Sequence, residues 1–232
     1  MTVTAIITCV VKSDLLYVRE ALKSVKRQTH PCRILVVVTE ETSILGPIIQ
    51  ELGIDVETVV EPLHPCGINR NIGVQKATTE WVAFLDADDL WEPEKIERQL
   101  AHASQTNRFV IASRHTLVRE NGTPFFYALA LKSPMPSSWM VNRELMLAEP
   151  FRNVPWEDVE LWRRLQHQTK TVTLKNHLMK YRVRSNSLSS AFGPAKRRKE
   201  KFAQISEMYF ARVLLILGSR LLSFFIPTKT KL

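Results

Sequence analysis

Three short segments of this chain bring together residue types that can do chemistry. The first is Asp86-Ala87-Asp88-Asp89, directly after the apolar run Trp81-Val82-Ala83-Phe84-Leu85. Three carboxylates within four residues repel one another unless a cation or hydrogen-bond donors neutralise them. Crowded hard oxygen ligands suit Mg2+ or Mn2+, which bind through one or two carboxylates and the phosphates of a substrate. The competing role, a cap on the helix that starts near Pro93, accounts for Asp89 but leaves Asp86 and Asp88 unexplained. The second segment is Trp156-Glu157-Asp158-Val159-Glu160-Leu161-Trp162. Leu161, Trp162 and Leu165 give a helix an apolar face, with Glu157 and Asp158 in its first turn. The helix dipole favours carboxylates there, so in isolation the pair is either catalytic or a solvated helix start. The third segment is Gly67-Ile68-Asn69-Arg70-Asn71-Ile72-Gly73. An arginine between asparagines at a loop-to-helix junction can present a fork to a phosphate, although the same pattern describes an ordinary surface arginine.

Other chemistries find no support. The six histidines (30, 64, 102, 115, 167 and 177) lack ligand spacing, and there is no Ser/His/Asp order, P-loop or dinucleotide-binding glycine fingerprint. Cys9, Cys32 and Cys66 are odd in number and lack metal-ligand spacing, which argues for a reducing compartment rather than a disulfide framework.

The elements that must position these residues follow from hydrophobic periodicity. The opening MTVTAIITCVV lacks the basic region and cleavage site of a signal peptide, and its β-branched residues predict a strand. A helix is expected over 14–28, with Asp14 as its cap and Leu15, Val18, Leu22 and Val25 on one face. RILVVV at 33–38 and WVAFLD at 81–86 are continuous apolar runs of the kind buried on both faces of a sheet. Residues 44–52 and 68–78 predict helices, and 55–60 a strand. The first 90 residues therefore alternate strand and helix, the pattern of an α/β fold with a mainly parallel central sheet. In such sheets the ligand site lies beyond the carboxyl ends of the strands, which is where the acidic triplet falls. Further helices are expected over 93–105, 141–148 and 157–167, with a strand over 108–118 and a turn-rich stretch containing Pro124, Pro134 and Pro136.

Composition sets the outer limits. The chain has 232 residues, 45% of them hydrophobic, with 7 Gly and 12 Pro, which excludes a disordered or collagen-like protein. Its net charge of +9 is uneven. Residues 1–162 carry 16 basic and 21 acidic side chains, a net of −5; residues 163–232 carry 16 and 2, a net of +14. The basic end calls for an anionic partner. KRRKEK at 196–201 precedes VLLILGSRLLSFFI at 213–226, which is shorter than the roughly 20 apolar residues of a membrane span. A basic head and a one-sided apolar helix fit a segment lying on an anionic membrane surface. The alternative is a helix packed on the domain or on a second copy of the chain, as in a homodimer. Nucleic acid is the weakest partner class, because no aromatic residues interleave with the basic run.

With these segments read, the chain resembles the family 2 glycosyltransferases of the GT-A fold, the inverting nucleotide-sugar transferases. The resemblance rests on YVREALKSVKRQT followed by RILVVV, on GINRNIG leading into ATTEWVAFLDADDLWEPEKIERQL, on WEDVELWRRL and on YRVRSNSLS, together spanning about 3–190. It implies a transferase domain over 1–192; the basic amphipathic helix expected over 193–232 is not part of the resemblance. It further implies that Asp86 and Asp88 form the DxD motif, Asp88 as the main ligand of Mn2+ or Mg2+ and Asp86 toward the ribose or metal. Arg70 and Arg184 would face the donor diphosphate, and Thr8, Val10, Thr39 and Glu40 would border the nucleobase. Asp158 would be the general base with Glu157 beside it, and Trp156 would meet the acceptor. The chain departs from the family where VTEETS replaces the usual VDDGS, so that Thr39 stands for an acid. Val11 and Lys12 replace a common Tyr-Asn, and Arg184 stands where a histidine often lies.

The chemistry agrees with these roles. Transfer from a nucleotide sugar, with a UDP-sugar favoured, expels a diphosphate whose charge a cation at Asp88 and Arg70 can stabilise. The incoming hydroxyl must lose its proton, which Asp158 can accept. One base without a carboxylate nucleophile implies a single inverting displacement. The expected acceptor is a glycan or a lipid-linked sugar in cell-surface polysaccharide synthesis, on the cytoplasmic side of the membrane. The departures leave a second expectation, a family member that binds a nucleotide sugar without turnover.

Overall fold

The computed structural model describes residues 1–128, 134–168 and 171–184. The chain divides into two compact units, 1–183 and 184–232, and only Arg184 of the second is described. The expected domain boundary at 192/193 and the amphipathic helix over 193–232 lie outside the described residues.

Four parallel strands form the first half of the sheet. β1 (Val3–Cys9) lies between β2 (Arg33–Val38) and β4 (Trp81–Asp86), and β3 (Glu57–Val60) extends the sheet beyond β2. All seven residues of β1 are buried, which its continuous β-branched and apolar sequence requires of a strand covered on both faces. On one face Val3, Ala5, Ile7 and Cys9 pack with Val18, Leu22 and Val25 of α1 (Val18–Lys26) and with Ile96 and Leu100 of α4 (Lys95–Thr106). On the other, Ile6, Val82 and Phe84 pack with Val74 of α3 (Cys66–Lys76) and with Leu161, Trp162 and Leu165 of α6 (Glu157–Gln168). Each fully buried aliphatic side chain of this kind contributes about 1.5–3 kcal/mol through removal from water. α2 (Gly46–Leu52) and α5 (Arg143–Ala148) complete the helices.

The second half of the sheet mixes parallel and antiparallel pairs. β8 (Met140–Asn142) joins β4 antiparallel, and β6 (Val110–Val118) joins β8 antiparallel. β9 (Thr171–Arg182) runs parallel to β6, β5 (Leu90–Trp91) pairs antiparallel with β9, and β7 (Pro124–Ala128) pairs with β6. β5 and β8 are two and three residues long, too short for any periodicity to announce them. β9 changes register twice against β6, so its side-chain alternation is broken. The expected helix over 14–28 is a 3-10 turn at Lys12–Leu16 followed by α1. Asp14 does not cap α1, because its carboxylate turns back to accept from the backbone N–H groups of Val10 and Val11 at 3.0 and 3.2 Å. The three thiols are free, and burial pushes Cys9 up to about 12 and Cys32 up to about 11. No helix among the described residues is long and apolar enough to cross a membrane.

A polar layer lies inside the core beneath the acidic loop. Lys95 is fully buried; its Nζ donates to Gln99 Oε1 at 2.8 Å and sits 4.1 Å from the centre of the Trp91 ring. Gln99 in turn donates to the carbonyls of Ile111 and Ser138 at 2.7 and 2.9 Å, and Trp91 Nε1 donates to the Ser137 carbonyl at 2.8 Å. The start of α4 is satisfied from the turn after α1, where Gln28 Oε1 accepts from the Ile96 N–H at 3.1 Å.

Burial pulls the Lys95 amine from 10.5 down to about 7. Between these values the unfolded chain holds a proton that the folded chain lacks, so stability rises with pH, by up to about 1.4 kcal/mol per pH unit. Below about 7 both states are protonated and the whole cost of burying the charge is present. Lys95→Met should therefore raise stability near neutral pH and flatten this slope. Urea unfolding at several pH values between about 7 and about 10 checks it, and a slope unchanged by the substitution contradicts it.

Candidate active site

The carboxyl ends of β1, β2 and β4 open on one edge of the sheet, and their register decides what meets there. Thr8 lies opposite Asp86 across the β1–β4 pair, and its hydroxyl donates to Asp86 Oδ1 at 3.2 Å. The backbone N–H of Asp86 donates to Ser137 Oγ at 3.0 Å, and the turn closes through Asp89 N–H to the Asp86 carbonyl at 3.0 Å. The three acids of this turn are not equivalent. Asp86 and Asp88 are half-buried. Asp89 is 1% exposed and faces inward, accepting from the Arg182 backbone N–H at 3.0 Å. Burial pushes the Asp89 carboxyl well above the usual carboxylate range, with Asp88 and Asp86 adding to the effect.

Arg70 joins the first two motifs. It is 5% exposed in α3, and its Nη2 donates to Asp86 Oδ1 at 2.7 Å while Nη1 lies 3.4 Å from Glu157 Oε1. Its guanidinium also stands 5.5 Å from the centre of the Phe151 ring. Burial alone disfavours the charged guanidinium, but Asp86 and Glu157 outweigh it and hold Arg70 protonated more firmly than usual. Burial raises the Glu157 carboxyl, Arg70 opposes that rise and the neighbouring Asp158 adds to it.

The GINRNIG segment owes its composition to close packing. A Cβ at Gly67 would stand 2.8 Å from both Glu157 Cγ and Phe151 Cβ, and one at Gly73 would overlap the Ile6 side chain. The first glycine lets α6 approach α3; the second lets α3 lie on β1. Asn71 clamps Phe151 from both sides, donating to its carbonyl at 2.8 Å and accepting from its N–H at 2.9 Å. Asn69 donates to the His64 carbonyl at 2.8 Å. These anchors hold the chain that enters α6. There Trp156 adopts the left-handed region with φ of 61° and leaves half of its surface exposed. Such a conformation costs a non-glycine residue about 1–3 kcal/mol and persists where the surroundings over-determine it. Asp158 follows in the first turn, half-buried, with Oδ1 accepting from the Val159 N–H at 2.8 Å.

A cavity of about 700 Å3 opens beyond the ends of β1, β2 and β3, with Val10, Thr39 and Glu40 in its wall beside Lys12, Glu41 and Leu63. Thr8 instead serves Asp86. Thr39 is buried, and its hydroxyl donates to the Val10 carbonyl at 3.3 Å. The structure thus brings Thr8, Arg70, Asp86 and Glu157 into one cluster, sets Asp88 and Asp158 on the same two motifs, and gathers Val10, Thr39 and Glu40 at the cavity. Arg184 belongs to the second unit. Among the described residues no three His, Cys, Asp or Glu side chains converge on one point. Two half-exposed carboxylates are the donor set of a cation completed by substrate phosphates, so Asp86 and Asp88 fit Mg2+ or Mn2+ in that form.

Two contributors escaped the sequence reading. Ser137 lies in a proline-rich stretch read only as turns. Arg182, 2% exposed, shares its strand parity with Arg184, so alternation could not separate them.

A GT-A sheet with paired acids at the ends of its strands defines a glycosyltransferase. More narrowly, the chain belongs to glycosyl transferase family 2, whose family model matches residues 4–185. It is 26% identical over 220 residues to TuaG of Bacillus subtilis, a glycosyltransferase provisionally assigned to teichuronic acid biosynthesis, covering 84% of this chain and 86% of TuaG. Among solved structures it resembles residues 1–349 of S. aureus TarS in complex with UDP-GlcNAc, with a TM-score of 0.69 at 17% identity over 83% of this chain. It also resembles the mannosyltransferase PcManGT of Pyrobaculum calidifontis in complex with GDP-Man and Mn2+, with a TM-score of 0.64 at 14% identity over 80% of this chain. The chain spans 62% of the TarS fragment and 58% of PcManGT.

Removing the Arg70 guanidinium leaves two carboxylates facing each other without compensation. Arg70→Met should cost about 3 kcal/mol of stability, and Arg70→Met combined with Glu157→Gln should recover part of it. Denaturant unfolding of the single and double variants checks the coupling; strictly additive losses count against the bridge.

Proposed function

We propose that this glycosyltransferase is metal-dependent and inverting, and moves a sugar from a nucleoside diphosphate sugar, with a UDP-sugar favoured, to a hydroxyl of a glycan or lipid-linked acceptor. The observation that carries the reading is the Arg70 bridge, which sets the DADD turn and the WED helix start against each other beside the cavity. Mn2+ or Mg2+, held by Asp88 and Asp86 together with the donor phosphates, supplies when bound positive charge for the departing diphosphate. Arg70 holds Asp86 in place for that task.

The two acids of the helix start then divide their roles. Glu157 is occupied by Arg70, so Asp158 is the group that takes the proton from the attacking hydroxyl. The engagement of Glu157 with Arg70 keeps it from serving as a nucleophile, which supports a single displacement. Trp156, exposed and rigidly set before Asp158, offers the apolar ring face on which a sugar acceptor can stack. Val10, Thr39 and Glu40 line the cavity that would take the nucleobase, with Thr8 behind Asp86.

The likeness to TuaG supports a role in cell-surface polysaccharide synthesis. In this reading the transferase domain spans 1–192. The basic segment beyond it rests on the inner face of the membrane or on a second copy of the chain.

A second reading, nucleotide-sugar binding without turnover, is favoured by Thr39, whose hydroxyl is spent on its own backbone neighbourhood. Thermal unfolding with UDP, GDP, CMP or dTDP, each with and without Mn2+, separates the two when joined to a turnover assay. A nucleotide at about 100 times its dissociation constant adds roughly 2.7 kcal/mol. This stabilisation should require the metal and vanish in Asp88→Ala. Asp158→Asn should keep it and lose on the order of 100-fold or more in turnover. Undiminished turnover in Asp158→Asn removes the catalytic assignment, and stabilisation by none of the four nucleotides removes the donor site.

A further inference from the structure

Arg182 ends β9, and no step of the proposed reaction uses it. Its attachments are nevertheless aimed at the acidic turn. The backbone N–H holds Asp89 Oδ1 at 3.0 Å, and Nε donates to the Asp88 carbonyl at 2.9 Å. The far end of the guanidinium is anchored elsewhere. Nη1 donates to the Glu120 carbonyl, Nη2 pairs with Glu20 of α1, and the group lies 5.0 Å from the centre of the Tyr17 ring. One buried side chain thus ties the peptide of Asp88 to α1 and to the turn after β6.

We propose that Arg182 is a positioning residue of the donor site: by holding the Asp88 peptide and the inward-facing Asp89, it sets the spacing at which Asp86 and Asp88 meet a divalent cation shared with a nucleoside diphosphate. The inference rests on the proposed donor site. Its physical basis is that the turn is tethered at each position whose movement would reorient an exposed carboxylate. Asp86 is held by Ser137 and Arg70, and the two residues after Ala87 are held by Arg182. A planar fork with fixed donor directions can reach the Asp88 carbonyl, Glu120 and Glu20 at once. A lysine keeps the charge and one such bond but cannot span all three. An arginine that served only the core would, on replacement, lower stability and leave cation affinity unchanged.

The test uses the full 232-residue chain. Mn2+ is titrated with UDP or GDP present, and free Mn2+ is followed by electron paramagnetic resonance. Arg182→Lys should retain its circular dichroism and weaken nucleotide-dependent Mn2+ binding by about tenfold, the lower end of what loss of an outer-shell partner costs a metal site. Glu20→Gln, which releases only the far end of the guanidinium, should shift Mn2+ affinity in the same direction by less. Unchanged Mn2+ affinity in a folded Arg182→Lys overturns the inference; if that variant does not fold, unchanged affinity in Glu20→Gln does so. A wild-type chain that binds Mn2+ with neither nucleotide overturns the donor-site reading itself and this inference with it.

Discussion

The buried guanidinium of Arg70 is the constraint on which the rest of this site depends. Asp86 ends a strand and Glu157 begins a helix 71 residues later in the chain. Bringing the two carboxylates into one partly desolvated space is unfavourable without a cation between them. Arg70 supplies it from a third element, with one nitrogen for each acid. A planar fork suits this bridge because its two amino groups have fixed directions, so the charges are balanced and the geometry is set together. The pairing also separates the acids of the helix start: Glu157 is engaged, while Asp158 remains at the edge of the site.

Much of the surrounding structure exists to deliver these parts to that bridge. The parallel register of β1 and β4 puts Thr8 beside Asp86. Gly67 removes the Cβ that would keep Glu157 away, and Gly73 lets α3 sit against Ile6. Asn71 fixes Phe151, and with it the path of the chain into α6. Trp156 on that path adopts the left-handed region. Preorganisation here is built from packing and backbone hydrogen bonds, which need no rearrangement when a substrate arrives.

The acidic turn shows how burial assigns different work to identical side chains. Asp89 is desolvated and spends its carboxylate on the backbone of Arg182; Asp86 and Asp88 keep part of their surface. The same contrast separates Arg70 from Lys95. Arg70 lies between two carboxylates and stays firmly charged, whereas Lys95, beside Gln99 and the Trp91 ring, loses much of its hold on the proton to burial. Neither behaviour follows from residue type; each follows from what lies within a few ångströms.

How much of this was legible beforehand depends on the range of the interaction involved. The strand–helix alternation of the first 90 residues, the family and the acidic motifs are local patterns, because the periodicity that buries a strand or a helix is written into consecutive residues. The short strands β5 and β8 and the register-shifted β9 carry no such pattern, since partners distant in the chain create them. The same holds within the site. WVAFLDADD and WEDVELW declare their acids in the sequence, but not that Asp89 faces inward, that Arg70 is shared between the motifs, or that Arg182 holds the turn. Sequence determined which side chains were present and on which local element. Tertiary structure alone decided their charge partners and exposure, because electrostatic and packing energies depend on distances that only the folded chain brings about.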